Sequence, residues 1–544
     1  MANGLTRRRV LATGVTLTAA TIPGMFAIAP SANAEEQIES VTWALSGFPE
    51  KLFIPNAWTI LTGAIMSLVQ EGLLTFGYDL ALKPASADKW EQVDPTTIKY
   101  HLRSGVKFGD GSPLTAEDVV ATFTYHMRPE SASQLASFYT SVKEVEATAA
   151  DEVTVILKEP NVQFAYTPAH MAGFVFKKEQ LADKNIGAPE VLPLGTGPYK
   201  LVKFVPPDHV ILEARDDYWG GKPVVKRITV RKISDPQERR FAMQSGAIDG
   251  VFDLSLSEVD QWKTLTNVQI VTAPSLGVYA LTLDHSDPPF DDIHFRRAVA
   301  YAVDREGLVN ALLKGNENGE AATALNPPEM WSGVLPIKEV REFYATLSPS
   351  YSFDLAKAKA ELAKSRYPDG YNKTIIIPAS NTDPYMVNIL QSVVEKLGQI
   401  GIRATINPMD NNAWLAQYFL HEDLPTRKKH PLGMQIMAYY PDFADPANYP
   451  TLFFSSANAV NDGMNGSNFK NADVDRFLKT SNETADRKAR AGALKEVFKI
   501  ANEDVALVSI FWPDSAMAIN NKYKLTGYTA FWYSVPWALG LRLK

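Results

Sequence analysis

The side chains best suited to chemistry in this 544-residue chain are acidic and aromatic, and several fall in one short stretch. Residues 437–446 read Met-Ala-Tyr-Tyr-Pro-Asp-Phe-Ala-Asp-Pro. Tyr439 and Tyr440 alternate on an expected strand, so only one of them faces a given side. A tyrosine offers a flat apolar wall with a hydroxyl at its tip. Asp445 stands against Pro446 and reads as a turn residue. Asp442 has two readings, a cap for the same turn or a carboxylate that holds a cation. In a space that excludes water such a carboxylate needs a partner, and an ammonium group with its three donors supplies one.

The patterns of bond-making chemistry are missing. The sequence holds no Gly-x-Ser-x-Gly elbow, no His-Glu-x-x-His, no phosphate-binding loop and no Gly-x-Gly-x-x-Gly. It has no cysteine, so disulfides, thiol catalysis, cysteine zinc sites and a lipid-modified N-terminal cysteine are excluded. The eight histidines are scattered. His421 and His430 flank Glu422-Asp423 and Arg427-Lys428-Lys429, where the neighbouring cations disfavour a metal and a solvated loop is expected. No metal and no cofactor are expected, and binding without turnover is favoured over an exported hydrolase.

The charge of −7 argues against nucleic acid as partner, because phosphate binding needs a basic surface or stripe. The N-terminus carries Thr6-Arg7-Arg8-Arg9-Val10-Leu11, a twin-arginine-type export motif. A weakly apolar run follows, broken at Pro23-Gly24, and Ala32-Asn33-Ala34 has the small-x-small pattern of a signal-peptidase site. Residues 1–34 are therefore expected to be a cleaved signal peptide and the mature chain to be periplasmic. Their loss removes three arginines and no acid, leaving −10. Beyond residue 34 no apolar run approaches the roughly 20 residues that span a bilayer.

Hydrophobic residues at 46% and charged residues at 21% suit a globular chain too long for one core. Short β-rich runs are expected at 98–102, 153–157, 209–213, 227–232 and 278–283, with stronger helical patterns after about residue 290. Thr115 opens a helix as a capping-box variant, Asp292 opens another, and Asp354 caps 355–365. Residues 374–406 read as strand, helix and strand, a βαβ unit with a parallel pair, the first strand bounded by Pro378. Residues 434–439 and 507–511 are candidates for further strands. Phe108-Gly109-Asp110-Gly111 and Gly195-Thr-Gly-Pro198 read as tight turns.

Four sets of motifs, in order along the chain, resemble the family-5 solute-binding proteins, the dipeptide, oligopeptide and nickel binders of ABC importers. The first is Tyr100-His-Leu-Arg-Ser-Gly-Val-Lys-Phe-Gly-Asp-Gly-Ser-Pro-Leu-Thr-Ala-Glu-Asp-Val119. The second is Gly195-Thr-Gly-Pro-Tyr199 with Asp217-Tyr-Trp-Gly-Gly-Lys-Pro223 and Ser245-Gly-Ala-Ile-Asp249. The third is Pro288-Pro-Phe-Asp-Asp292 with Phe295-Arg-Arg-Ala-Val-Ala-Tyr-Ala-Val-Asp-Arg305. The fourth is Asp442-Phe-Ala-Asp-Pro446 with Asn471-Ala-Asp-Val-Asp475. Most of these residues are expected to be structural.

The resemblance implies an α/β, two-lobed periplasmic-binding-protein-like fold (type II, cluster C) with an extra β-rich subdomain in lobe I. Lobe I would be 35–283, with the inserted subdomain at about 75–195, and lobe II 284–513. Residues 514–544 would return to lobe I, with crossings near Asp284 and Pro513. It implies a monomer that captures a peptide or peptide-like solute between the lobes and delivers it to an ABC permease in the inner membrane. An opine or sugar is the alternative ligand. In peptide-binding relatives the first aspartate of Asp-x-x-Asp-Pro pairs with the ligand's α-ammonium, which here is Asp442. Tyr439 stands where relatives often carry tryptophan. Dipeptide binders place an arginine after the first lobe II strand; here residues 378–384 have none, and Asn381 is the nearest match. Trp414 is assigned to the core or the pocket wall, and Phe48 to the lobe I wall.

Overall fold

The computed structural model describes residues 36–252, 254–423, 428–429 and 432–544. The expected signal peptide, Arg427 and His430 lie outside the described residues.

The frame is a mixed sheet of ten strands. Strand β1 (Ile38–Leu45) buries Trp43 at its centre. An antiparallel sheet comes next in the chain, with β2 (Ala87–Asp94), β3 (Thr97–Leu102), β4 (Val142–Ala149) and β5 (Glu152–Leu157) in the order β2-β3-β5-β4. Helix α1 (Ala116–Met127) packs on β4 and β5. Its capping box forms as the sequence indicates, with Asp118 accepting from the Thr115 backbone N–H at 2.9 Å.

The chain then returns to the large sheet through β6 (Tyr199–Val205), β7 (His209–Ala214), β8 (Val225–Lys232) and the short β9 (Gly250–Val251). Strands β8 and β9 flank β1 in parallel, while β6 and β7 extend the sheet antiparallel. Next come β10 (Val268–Pro274), β11 (Val278–Leu283), β12 (Gly319–Ala321), β13 (Ile375–Ser380), β14 (Ala404–Met409), β15 (Met434–Tyr439) and β16 (Leu507–Asn520). The sheet order is β15-β11-β16-β9-β1-β8-β7-β6, with β10 and β12 also paired to β16.

Strand β16 ties the two ends of this sheet together. Its first half pairs with β11, Leu507 opposite Thr282 and Phe511 opposite Tyr279. Its second half pairs with β10, Asp514 opposite Pro274 and Asn520 opposite Val268. The chain passes from β10 to β11 through residues 275–277, beside Pro513, whose carbonyl accepts from the Ser275 hydroxyl at 2.5 Å.

The βαβ unit forms: β13, the helix Pro384–Gln399 and β14 are consecutive, and β13 and β14 pair in parallel with Ile377 opposite Ile406. Strand β13 runs on through Pro378 to Ser380, past its expected end. A proline there costs no ladder bond, because β13 has its hydrogen-bonded neighbour on one side only among the described residues. Residues 434–439 and 507–511 do form strands, but they join the large sheet antiparallel and do not enlarge the parallel pair.

Aspartate and asparagine caps start most of the helices around this frame. Asp292 opens α2 (Ile293–Ala302), Asp354 opens α3 (Leu355–Leu362), Asp383 opens α4 (Pro384–Gln399) and Asp410 opens α5 (Asn411–Tyr418). Three more follow: α6 (Asn448–Phe454), α7 (Ala472–Glu483), capped by Asn471, and α8 (Arg487–Glu503), capped by Asp486.

The motifs of the first half converge on one structural knot. The Arg215 guanidinium donates to the carbonyls of Gly195, Gly197, Lys107 and Phe108 at 2.9–3.3 Å. A Cβ at Gly195 would fall 2.0 Å from the Val69 carbonyl oxygen, so only glycine lets the two backbones touch. Glu71 accepts from the Tyr218 hydroxyl at 2.6 Å and from the Trp219 indole N–H at 2.9 Å.

Candidate functional site

Strand β15 ends at Tyr439, and the chain turns through Tyr440, Pro441 and Asp442 before α6 begins. The Tyr439 ring meets Tyr449 and Phe453 edge-on, with centroids 5.4 and 5.3 Å apart. Tyr449 in turn donates its hydroxyl to the carbonyls of Leu276 and Tyr439, at 2.7 and 3.1 Å, and so fixes the turn against the crossing segment. The Tyr439 hydroxyl bonds to the Asp442 carboxylate.

Asp442 is half-buried, and desolvation pushes its carboxyl up to about 6 against the partial relief of the Tyr439 bond. No lysine, arginine or histidine comes within ion-pair distance of it among the described residues. Tyr533, from the C-terminal segment, also feels its charge. Burial first and the nearby carboxylate second push the Tyr439 and Tyr533 hydroxyls well above the usual phenol range.

Three residues on, Asp445 has the opposite surroundings. It is fully buried at 0% exposure, and Arg490 of α8 grips both its oxygens at 2.8 Å. It also accepts from the Ala447 N–H at 2.9 Å, the turn role read for it. The two carboxylates of one short motif therefore differ in kind. One is satisfied within the protein, while the other has only phenol neighbours.

Residues 162–169 approach this motif from the other side. Tyr166 stacks on Phe443 with centroids 5.2 Å apart and planes 7° from parallel, and its hydroxyl bonds to Asp445. The Gln163 amide donates to Asn482 of α7 at 2.8 Å. A cavity of about 780 Å³ opens beside these contacts, bounded by Phe138, Asn161 and Gln163 on one side and by Asp442, Asn448 and Asn482 on the other. That volume suits a small ligand. The Asn448 Oδ1 is a buried acceptor without a partner. The Asp442 carboxylate has only the Tyr439 hydroxyl as donor, so it suits a ligand that brings further donors.

The other candidates are more spread out. Tyr440 is 46% exposed and lies over Gly277, where a Cβ would come within 2.5 Å of its ring. Its hydroxyl bonds to that of Tyr279, which donates to Asp383 at 2.9 Å. Tyr439 and Tyr440 thus face opposite ways. Trp414 is buried 5.7 Å from the Tyr418 ring, with its indole N–H unpartnered. Asn381 is exposed, and its backbone N–H donates to Met409. Phe48 packs against Phe204 of β6 at 6.1 Å.

One loop reading is corrected. His421 is buried, with Nδ1 2.9 Å from the Asn468 Oδ1, because Asn461 and Asn468 fold over it. Among the described residues no group of three or more His, Asp or Glu could hold a metal ion. Tyr166, Gln163, Asn448, Asn482 and Tyr533 were not singled out by sequence. They carry no local signature, and only the fold brings them near Asp442.

Comparisons with known proteins agree with this architecture. Residues 81–461 match the bacterial extracellular solute-binding proteins, family 5 middle. The probable D,D-dipeptide-binding periplasmic protein DdpA of Escherichia coli K12 is 27% identical over 481 residues, covering 86% of each chain. The ABC transporter substrate-binding protein CtaP of Listeria monocytogenes superposes with a TM-score of 0.79 at 24% identity, over 93% of this chain and 100% of that one. The oligopeptide-binding protein AppA of Bacillus subtilis, solved with a nonapeptide, superposes with a TM-score of 0.72 at 21% identity, over 94% and 100%. The fold is accordingly the two-lobed α/β fold of these proteins. Among the described residues no helix is long and apolar enough to cross a membrane.

Proposed function

Because the chain belongs to the bacterial extracellular solute-binding proteins of family 5, we propose that it captures a peptide or peptide-like solute through a cationic amino group held at Asp442, and hands it unaltered to an ABC permease. The observation that carries the reading is the Asp442 carboxylate, which lies on the cavity wall with a phenol donor and no cation. A ligand ammonium supplies that cation. The names of relatives that bind a D,D-dipeptide or a nonapeptide support the ligand class.

The resemblance puts the crossings near Asp284 and Pro513; this reading keeps the second and moves the first back to residues 275–277, where β10 gives way to β11. Tyr439 then lines the ligand's amino end. Tyr440, Trp414, Asn381 and Phe48 are contacts further along or outside the pocket. Residues 378–384 bring no cation for a ligand carboxylate, so longer peptides and amino-acid–sugar conjugates suit the site better than free dipeptides. Export by the twin-arginine leader, cleavage near Ala34, a periplasmic location and a monomeric state complete the proposal.

Calorimetry with a tripeptide panel, each member with a free or an acetylated N-terminus, tests it. Free amines should bind and release heat, while acetylation should remove binding. Equal affinity for both forms would take the ammonium away from Asp442. Mass spectrometry of the co-purifying solute names the natural ligand, and its recovery unchanged after incubation checks that there is no turnover.

A further inference from the structure

The cavity beside Asp442 carries more negative charge than one ligand amine can answer. Four carboxylates bound it, those of Asp442, Glu159, Asp475 and Glu483, against a single ammonium on Lys479. Three of these charges share one face of α7, where Asp475, Lys479 and Glu483 follow one another in steps of four residues. Lys479 is 70% exposed and lies 3.7 Å from Glu483, so it answers a carboxylate of its own helix. Asp475 is half-buried and accepts the Ser456 N–H at 2.8 Å, but no cation pairs with it among the described residues. Glu159 comes from the wall built by residues 137–167. It is exposed and has no hydrogen bond or ion pair among the described residues.

The cations around these residues are engaged elsewhere. Lys158 donates to the Thr140 carbonyl at 2.7 Å, Arg476 pairs with Asp473 at 2.7 Å, and Arg490 holds Asp445. The remaining wall is uncharged, with hydroxyls and an amide from Thr140, Ser141, Thr451 and Asn482. A cleft lined by one sign of charge gathers the opposite sign and turns its own away.

We infer that the solute carries a second cation besides the amine at Asp442: it is a peptide with a lysine or arginine side chain, whose charge is answered by Glu159 and Asp475. This rests on the ammonium reading of Asp442 and narrows it. Glu159 and Asp475 are then specificity-determining residues. An acidic side chain in that place meets like charge, and a neutral one leaves both carboxylates unanswered. Because both carboxylates keep some contact with water, the selection is modest, roughly tenfold in affinity between a basic and a neutral side chain.

The test is calorimetry on the full mature protein with free-amine tripeptides of alanine that carry one lysine, norleucine or glutamate in the second or third place. Norleucine keeps the hydrocarbon stem of lysine and drops the charge. The wild type should prefer lysine over norleucine by roughly tenfold in at least one of the two places, with glutamate weakest. High salt should shrink that ratio, because partly exposed charges are screened. Glu159→Gln should reduce the ratio, and Glu159→Gln with Asp475→Asn should bring it to one; asparagine keeps an acceptor for the Ser456 N–H. Asp442→Asn should weaken lysine and norleucine peptides alike and leave the ratio standing. Equal affinity for lysine and norleucine, with both peptides still losing affinity on N-acetylation, would overturn the second cation and leave the amine at Asp442 intact. A lysine preference that survives the double variant would also overturn it. Failure of every free-amine peptide to bind would remove both readings together.

Discussion

Asp442 and Asp445 share one turn, yet their surroundings are opposite. Asp445 is paired with Arg490, while Asp442 is half-buried with only phenols beside it. Its carboxyl titrates near 3.8 when exposed and near 6 in the folded protein, so the native state keeps a proton that the unfolded chain releases between those values. Stability of the empty protein therefore falls as pH rises from about 4 to about 6 and is flat beyond, by an amount on the order of 2 kcal/mol. Asp442→Asn should remove that slope, raising the thermal midpoint at pH 8 and leaving it unchanged at pH 4. A midpoint difference that does not vary with pH would assign the effect to something other than this carboxyl. The same proton competes with a ligand ammonium. Below pH 6 the affinity for a free-amine peptide should weaken, approaching about tenfold per pH unit, with a proton released on binding. Calorimetry in buffers of different ionisation enthalpy reads both quantities. The proposal at Asp442 could be framed from the sequence because Asp442-Phe-Ala-Asp-Pro446 resembles the Asp-x-x-Asp-Pro pattern of peptide-binding relatives. The phenol neighbour Tyr533 and Asp445's partner Arg490 were not legible there, since contacts made across 45 or more residues leave no local pattern.

At the scale of elements, caps and turns were the most readable features, because an aspartate at an N-cap acts within three residues of itself. The Asp292, Asp354 and Thr115 starts all formed where expected. The passage of β13 through Pro378 was not readable, since whether a proline is tolerated depends on which neighbour its edge lacks. The packing of α6 and α8 hangs on another unreadable feature, the Asp445–Arg490 pair. Arg490 also donates to the Ser481 carbonyl at the end of α7, at 3.0 Å, so one guanidinium joins three elements. Arg490→Leu leaves the Asp445 carboxylate buried and uncompensated. It should cost about 3–5 kcal/mol in chemical denaturation. The double change Asp445→Asn with Arg490→Leu should recover a large part of that loss, because the stranded charge is gone. If the double variant is no better than the single one, the lost Ser481 bond outweighs the charge.

The whole molecule turns on how residues 162–169 meet α6–α8. The sequence placed these segments in different parts of the chain, and the family resemblance implied a cleft between them, but no residue pattern indicated which side chains would touch. The structure supplies the Tyr166–Phe443 stack, the Tyr166–Asp445 bond and the Gln163–Asn482 bond. On the proposed lobe closure, these contacts would be made in the closed state and would bias closure without adding to ligand contact. Tyr166 is suited to testing this, because its ring lies against Phe443 and is not among the residues bounding the 780 Å³ cavity. Loss of an aromatic stack of about 1 kcal/mol together with one hydrogen bond should lower ligand affinity roughly tenfold by depopulating the closed form. Tyr166→Phe, which keeps the stack, should lose a smaller part. In solution scattering, Tyr166→Ala without ligand should show a larger radius of gyration than the wild type, and saturating ligand should bring the two together. Equal radii without ligand, alongside a tenfold weaker affinity, would instead make Tyr166 a ligand contact and leave the closing contacts to Gln163 and Asn482.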